Sequence, residues 1–307
     1  MRRPGSTMAI KSMGLVEVPG ARLHVERAGD GPALLLIPGG GGDAAMYADV
    51  MEPLSRTFTV ITYDRRGNSR SPFTRPDASI TPATQADDAA AVLDHHSLDR
   101  AYVFGSSGGA IIALEMVIRH QDRLLGAVVH EAPLIQLLPA GSAERREIDH
   151  IARLSQKGHL MRAYAAFGAM TLPDPPRIFL SPAGQTAIAA GTRLMLAADA
   201  LTRKVTGRAP DPMTRQLHNA DLLLRRELPA FCYDYRPDLT ALAAATAPWC
   251  LAAGRDSAGK PYHAAVRLLS ERLGVPCHEF PGGHVPYMQH PEEFTATLSA
   301  VLEGFAP

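Results

Sequence analysis

Short apolar runs alternate with helix-like segments along the first half of the chain and again near its end. The runs are continuous rather than polar on every second residue, which is typical of parallel strands covered by helices on both faces. This rhythm predicts an α/β fold with a doubly wound, mostly parallel sheet. The predicted strands lie at residues 21–26, 33–38, 57–63, 101–104, 125–130, 249–253 and 276–280, and the predicted helices at 43–54, 81–93, 109–119, 261–273 and 291–302.

The rhythm stops after Pro133 and resumes near residue 241. Residues 134–240 contain amphipathic helical stretches and no convincing strand. We therefore predict a helical cap at 134–240, inserted into a core formed by 1–133 and 241–307. The first 12 residues lack the apolar stretch of a signal peptide and are expected to form a loose tail.

Composition excludes several classes of protein. The 307 residues include 31 basic and 31 acidic side chains, so no general basic field would attract nucleic acid or an anionic membrane surface. No apolar run approaches the length of about 18 residues that a membrane span needs. Three scattered cysteines suit neither a disulfide framework nor a metal site, which favours a reducing compartment, the cytoplasm. We expect no cofactor. The sequence does not decide between a monomer and a homodimer.

A Gly-Ser-Ser-Gly-Gly segment at residues 105–109 joins a predicted strand to a predicted helix. In a sharp strand-to-helix turn, a serine is presented above the carboxyl ends of the strands, and the residues two before and two after it must be very small. Ser107 has Gly105 and Gly109 at those positions, whereas Ser106 would have the bulky Phe104 two residues before it. Ser107 is therefore the candidate nucleophile, against the simpler interpretation of a Gly/Ser turn that caps a helix.

Together with two further motifs, this turn resembles the α/β-hydrolase family over residues 14–305. The stretch Leu-Leu-Leu-Ile-Pro-Gly-Gly-Gly-Gly at 34–42 resembles the family's oxyanion loop, and Tyr-Asp-Arg-Arg-Gly-Asn-Ser-Arg-Ser at 63–71 resembles its D-x-R-G-x-G-x-S stretch. The resemblance implies an eight-stranded sheet with a helical cap. Two departures are Pro38, where the family commonly has His, and Ser69, where it usually has Gly.

A serine hydroxyl needs a base, and the base needs an acid that fixes its tautomer. His284 follows the last predicted strand in a Gly-Gly-His context, where the family places its catalytic His. Asp256 follows the strand before it and matches the family's G-x-x-D position in shortened form, so it is the preferred acid. The rival is Glu131, directly after strand 125–130, because some family members place the acid there.

Ester cleavage also needs donors for the oxyanion that forms in the transition state. Gly108, the residue after the candidate nucleophile, should supply one backbone N–H. Gly40 of the glycine run should supply the other, with Gly41 as the alternative. The run lacks the Lys-Ser/Thr that would follow in a phosphate-binding loop. Candidate pocket residues are His130, Glu131, Tyr164, Phe167, Met195 and Tyr233, to which Met161, Met170, Leu194 and Leu223 are added as apolar lining.

These features predict a metal- and cofactor-free serine hydrolase that cleaves a carboxylic ester or lactone of a small hydrophobic molecule. The same triad would also serve a cofactor-free haloperoxidase or perhydrolase, or a hydrolase of C–C or amide bonds. A different class is a non-catalytic protein of this fold that only binds a ligand.

Overall fold

The computed structural model describes residues 12–172 and 175–305. Of the tail predicted at residues 1–12, residues 1–11 lie outside the described residues, and Ser12 begins the first strand. An eight-stranded sheet in the order β1-β2-β4-β3-β5-β6-β7-β8 forms the centre of the molecule. The first two strands pair antiparallel, as do β2 and β4, and the remaining pairs are parallel. The strands are β1 Ser12–Val18, β2 Ala21–Ala28, β3 Ala33–Ile37, β4 Thr59–Tyr63, β5 Ala101–Ser106, β6 Leu124–His130, β7 Trp249–Gly254 and β8 Cys277–Phe280.

The doubly wound, mostly parallel sheet predicted from the sequence is confirmed, and each predicted apolar run coincides with a strand. The central strands β3 and β4 are buried along their whole length, which explains their continuous apolar sequence. The sequence did not reveal β1, because this edge strand has no continuous apolar run and is largely exposed over its first residues.

Helices cover both faces of the sheet. Side chains of β3 alternate between two cores. Leu35 and Ile37 pack with α2 (Pro82–His95), α3 (Gly108–Arg119) and α11 (Pro261–Leu273), and Leu34 and Leu36 pack with α1 (Ala48–Ser55) and α13 (Pro291–Glu303). Thr81 caps α2 by accepting a hydrogen bond from the Thr84 N–H, with Pro82 in the first helical position. These helices are α1 Ala48–Ser55, α2 Pro82–His95, α3 Gly108–Arg119, α11 Pro261–Leu273, α12 Pro286–Gln289 and α13 Pro291–Glu303.

Between β6 and β7, the secondary-structure elements of the described chain are all helical. The longest is α7, of which only Gln185 and Ala189 are buried. Two π-helical stretches, Leu223–Glu227 and Pro229–Asp234, precede the return to the sheet. The α-helices of this insertion are α4 Ala143–Gln156, α5 Leu160–Thr171, α6 Arg177–Leu180, α7 Pro182–Thr206, α8 Pro212–His218, α9 Ala220–Leu222 and α10 Leu239–Ala243.

The topology determines where a site can form. Strands β3, β5, β6, β7 and β8 run parallel, so the loops that follow them emerge at one edge of the sheet. The helical insertion leaves the sheet at this edge, directly after β6. Across residues 12–172 and 175–305, we find no helix both long and apolar enough to span a membrane.

Candidate active site

Ser107 occupies a strained turn between β5 and α3. Its backbone has φ 56° and ψ −121°, a conformation that non-glycine residues rarely adopt. The Ser107 N–H donates to the carbonyl of His130 at the end of the adjacent strand, with an N–O distance of 2.9 Å. Strain of this kind persists only where the surrounding structure imposes it, and it is concentrated at functional sites.

The flanking glycines explain how the turn can close. A Cβ on Gly105 would lie 2.2 Å from the carbonyl oxygen of Gly109, and a Cβ on Gly109 would lie 2.2 Å from that of Ile37. Side chains at these two positions would therefore collide with backbone. Ser106 points elsewhere: it is fully buried, and its Oγ lies 3.2 Å from Nδ1 of His130.

His284 is paired with Glu131. Its Nδ1 lies 2.6 Å from Oε2 of Glu131, and the other carboxylate oxygen accepts the Gly254 N–H at 2.8 Å. Glu131 is fully buried and His284 is 3% exposed. Since Ser106 and His130 are register partners at the ends of β5 and β6, Ser107 and Glu131 are the first residues after two adjacent strands. The side chain of Tyr262 stacks on the His284 ring, with centroids 3.7 Å apart.

The structure corrects the preference for Asp256 as the partner of His284. Asp256 is exposed in the turn after β7, and its backbone N–H donates to the carbonyl of Gly282. The shortened Gly-Arg-Asp sequence ends β7 so that the Gly254 N–H, not the Asp256 carboxylate, faces the site. The position beside His284 belongs to Glu131, the rival that the sequence identified.

The pair is an ionised carboxylate hydrogen-bonded to imidazole. Burial by itself would raise the pKa of Glu131, but the adjacent His130 ring and the hydrogen bond from His284 outweigh it and hold that pKa at about 2. At neutral pH, Glu131 is therefore an acceptor only, so the shared proton is on Nδ1 of His284. This leaves Nε2 of a neutral His284 as the atom able to accept a proton.

His130 should make folding stability depend on pH. Burial lowers its pKa from 6.5 to about 4 and dominates over the opposing charge of Glu131, so the folded protein keeps this ring neutral in a range where the unfolded chain protonates it. Stability present above pH 6.5 is therefore lost as the pH falls towards 4. We expect His130→Asn to make the free energy of unfolding depend less steeply on pH over this window. The slope should fall by the equivalent of up to about one bound proton.

Urea unfolding at several pH values between 4 and 7 measures this slope. His150→Asn is the matched control, because it makes the same substitution at an exposed histidine. A slope for His130→Asn equal to that of the parent protein would show that His130 does not titrate in this window.

The glycine run lies against the turn that carries Ser107. A Cβ on Gly39 would lie 3.0 Å from the Cβ of Ser107, and a Cβ on Gly108 would lie 3.9 Å from the backbone N of Gly40. The backbone N–H groups of Gly40 and Gly108 thus belong to neighbouring segments on one side of Ser107. Gly41 follows with φ 85°, and its carbonyl accepts a hydrogen bond from Asn219.

Ser107 and His284 open onto one small cavity of about 30 Å³ under the insertion. Its walls are mostly apolar, and Gly40 and Gly108 also contribute to them. The insertion supplies the roof. The roof residues are Ile148, Phe167, Met170, Leu223, Glu227, Leu228, Phe231 and Cys232, and the walls are completed by Arg65, Pro133 and Tyr262.

Among the pocket candidates, Phe167, Met170 and Leu223 line this cavity. Glu131 and His130 lie buried behind its wall, as described above. The remaining five candidates lie elsewhere, because the faces of the insertion helices could not be assigned without their partners. Met161 and Tyr164 pack inside the insertion, Leu194 and Met195 are exposed on α7, and Tyr233 donates a hydrogen bond to Asp149.

Sequence reasoning missed the polar cavity residues Tyr262, Arg65 and Glu227, as well as Pro133, Ile148, Leu228, Phe231 and Cys232. Tyr262 lies in the first turn of α11, and no motif marks it. Arg65 stands at the variable position of the stretch that resembles the family's D-x-R-G motif, a stretch assigned a structural role. Glu227 lies in the insertion, 162 residues away in sequence from its partner Arg65.

Polar contacts fasten the insertion to the loops that follow β3 and β4. Arg215 of α8 donates to both carboxylate oxygens of Asp43, at 2.7 and 3.0 Å. Asn219 donates to the Gly41 carbonyl at 2.6 Å and to Ser69 Oγ at 2.8 Å, and Ser69 in turn donates to Asp43. Ser69 has φ 49°, the conformation that favours glycine, which is the residue the family usually has here. The serine hydroxyl makes contacts with Asp43 and Asn219 that a glycine could not make.

No group of three or more His, Cys, Asp or Glu side chains suited to a metal ion occurs in the part of the chain that the structure describes. The side chains of Ser107, His284 and Glu131 lie together at this edge of the sheet, beside the backbone amides of Gly40 and Gly108. This set resembles a nucleophile, a base, an orienting acid and oxyanion donors.

Comparison with known proteins defines the class. Residues 32–174 match the family model of the alpha/beta hydrolase fold. The uncharacterized hydrolase YraK of Bacillus subtilis (strain 168) is 30% identical over 295 residues, which cover 94% of this chain and 96% of that protein. The chain therefore belongs to the α/β-hydrolase family and is a hydrolase, as its motifs predict.

Solved structures agree on the fold. Esterase RhEst1 from Rhodococcus sp. ECU1013 superposes with a TM-score of 0.67 at 18% identity, covering 96% of this chain and 100% of that one. The enol-lactonase from Burkholderia xenovorans LB400 gives a TM-score of 0.63 at 20% identity, covering 94% of this chain and 100% of that one.

Proposed function

We propose that this chain is a serine hydrolase that cleaves a carboxylic ester or lactone of a small hydrophobic molecule. Ser107 is the nucleophile, His284 the base and Glu131 the acid. The observation that carries the proposal is the 2.6 Å contact between His284 and the buried, ionised Glu131, beside a serine held in a strained turn. This combination supplies a hydroxyl, a proton acceptor and an orienting carboxylate, the three parts that acyl transfer needs.

The proposed reaction begins when Nε2 of His284 takes the Ser107 hydroxyl proton as Oγ attacks the substrate carbonyl. Glu131, accepting from Nδ1, stabilises the imidazolium that forms. The backbone N–H groups of Gly108 and Gly40 hold the oxyanion of the tetrahedral intermediate. His284 then protonates the departing alkoxide, and water activated by the same ring releases the acid from Ser107.

Gly40 is preferred over Gly41 as the second donor because Gly40 lines the cavity beside Ser107. Gly41 instead lies where the insertion contacts the loop through Asn219. Gly108 begins α3, so the positive end of the helix dipole also favours negative charge at this point.

The apolar lining supports a hydrophobic substrate. Phe167, Met170 and Leu223 face the space next to Ser107. A cavity of about 30 Å³ holds about one or two water molecules, so an acyl group longer than a few carbons requires the insertion to move outward. The fold shared with an esterase and an enol-lactonase supports both ester and lactone substrates.

Hydrolysis of p-nitrophenyl acetate and butyrate and of small lactones, together with labelling by a fluorophosphonate probe, tests the proposal. We expect turnover and one modified residue, Ser107, located by mass spectrometry. Ser107→Ala should abolish both, whereas the neighbouring Ser106→Ala, which alters a hydroxyl that does not line the cavity, should keep both.

Equal turnover by the parent protein and Ser107→Ala would rule out Ser107 as the nucleophile. Labelling of Ser107 without hydrolysis of any ester or lactone would instead favour a perhydrolase, or a C–C or amide hydrolase, with the same triad. If the parent protein shows no labelling and no turnover, the result favours a ligand-binding protein.

A further inference from the structure

A buried pair of opposite charges joins the insertion to the loop after β4, in the wall of the cavity that holds Ser107. The guanidinium of Arg65 donates through Nη1 and Nη2 to the two carboxylate oxygens of Glu227, each at 2.8 Å. The two side chains are only 1% and 3% exposed. Both line the same cavity as Ser107 and His284.

Stability alone is a poor reason for such a pair. Removing two charges from water costs several kcal/mol for each ion, and well-packed apolar residues often stabilise a core equally well. A further contact of Arg65 indicates a different role: Nη2 also donates to the carbonyl oxygen of Gly39, at 2.8 Å. The same oxygen accepts the backbone N–H of Gly42 at 3.1 Å.

The Gly39 carbonyl and the Gly40 N–H belong to one peptide unit. Because a peptide unit is planar and trans, its C=O and N–H point in opposite directions, and fixing one fixes the other. Two consecutive glycines would otherwise let this peptide rotate easily. Arg65 holds the carbonyl on one side, so the N–H is directed to the other.

We propose that Arg65, held in place by Glu227, is a positioning residue that orients the Gly40 N–H towards the oxyanion. The inference rests on the proposed function, in which Gly40 is an oxyanion donor. Glu227 belongs to the insertion and Arg65 to the core. The ion pair between them therefore couples the position of the insertion over the sheet to the orientation of the Gly40 N–H. Arg65 does not touch the reacting atoms.

Three variants separate positioning from general stability: Arg65→Met, Glu227→Leu and the double variant. Each single change leaves one buried charge without its partner and should lower the melting temperature. The double variant removes both charges and should be more stable than either single variant, although Gln85 Oε1 and Asn68 Nδ2 each lose a partner. We nevertheless expect it to keep a kcat about 10- to 100-fold below the parent protein for p-nitrophenyl butyrate, with KM within about threefold, because loss of an oxyanion donor slows the chemical step.

Inhibitors provide a readout that a purely structural role would not change. A trifluoromethyl ketone forms a tetrahedral adduct with an oxyanion, and the matching alcohol does not. In the double variant, binding of the ketone should weaken by about the same factor as kcat falls, while binding of the alcohol stays within about threefold. A folded double variant whose kcat and ketone inhibition lie within about twofold of the parent protein would overturn the proposal.

The crystal structure of the double variant tests the inference without any substrate. We expect the Gly39–Gly40 peptide to be rotated or to adopt more than one orientation. An unchanged peptide would show that Arg65 does not set its direction. Assays of the parent protein distinguish failure of this proposal from failure of the proposed function. If the proposed function is wrong, the parent protein neither hydrolyses esters nor reacts with the fluorophosphonate at Ser107.

Discussion

Replacing Glu131 with Gln should lower kcat/KM for ester hydrolysis by about 10⁴-fold, the effect of the equivalent change in a serine protease triad. The carboxylate accepts from two donors, His284 Nδ1–H and the Gly254 N–H. A glutamine has only one acceptor oxygen for them, and its amino group must face the other donor. The His284 ring would then turn or carry its proton on the wrong nitrogen.

Asp256→Asn is the matched control, because it makes the same chemical change in the carboxylate that the sequence favoured. Asp256 is exposed, so activity should stay within about twofold of the parent protein. The measurement is steady-state hydrolysis of p-nitrophenyl butyrate, with circular dichroism to show that both variants are folded. The assignment of the acid would be reversed if Asp256→Asn lost activity and Glu131→Gln kept it.

Ser107→Gly should abolish hydrolysis, with a loss of about 10⁵- to 10⁶-fold in kcat, and should also make the protein more stable. Glycine adopts the φ of 56° and ψ of −121° at this position with little strain, whereas serine does not. The relief exceeds the extra entropy that glycine gives the unfolded chain, so we expect a net gain of about 1 kcal/mol in the free energy of unfolding.

Ser107→Ala separates the two effects. It removes the hydroxyl but retains a Cβ, so it should lose the same activity without the gain in stability. Urea unfolding of the three proteins, monitored by tryptophan fluorescence and circular dichroism, measures the difference. A Ser107→Gly protein that unfolds at a lower urea concentration than Ser107→Ala would show that the turn is not strained by its side chain.

Much of the fold could be predicted because its causes are local. The strands β3 and β4 are buried on both faces, and burial on both faces requires continuous apolar sequence. The turn around Ser107 could be predicted because the backbone contacts of Gly105 and Gly109 leave no room for a side chain. The edge strand β1 was missed because it carries little of this signal.

The acid was harder to choose because two positions satisfy the same sequence order. Glu131 and Asp256 both follow parallel strands and both precede His284 in the chain. The choice depends on the length of the turn after β7 and on the Gly254 N–H, which faces Glu131. Contacts made by the insertion, such as Glu227 with Arg65, depend on how helices pack over the sheet, which helical periodicity alone does not determine.

The exposed turn after β7 has a practical consequence. With Glu131 supplying the carboxylate from β6, the residues from Arg255 to Gly259 have no assigned part in the reaction, although they lie close in sequence to Tyr262. Four of them, Arg255, Asp256, Ala258 and Gly259, are exposed, whereas Ser257 is buried and should be retained. A fluorophore attached through Asp256→Cys, at a residue whose backbone N–H is hydrogen-bonded to Gly282 in the loop that carries His284, would therefore report on the enzyme from beside its active site while leaving catalysis intact.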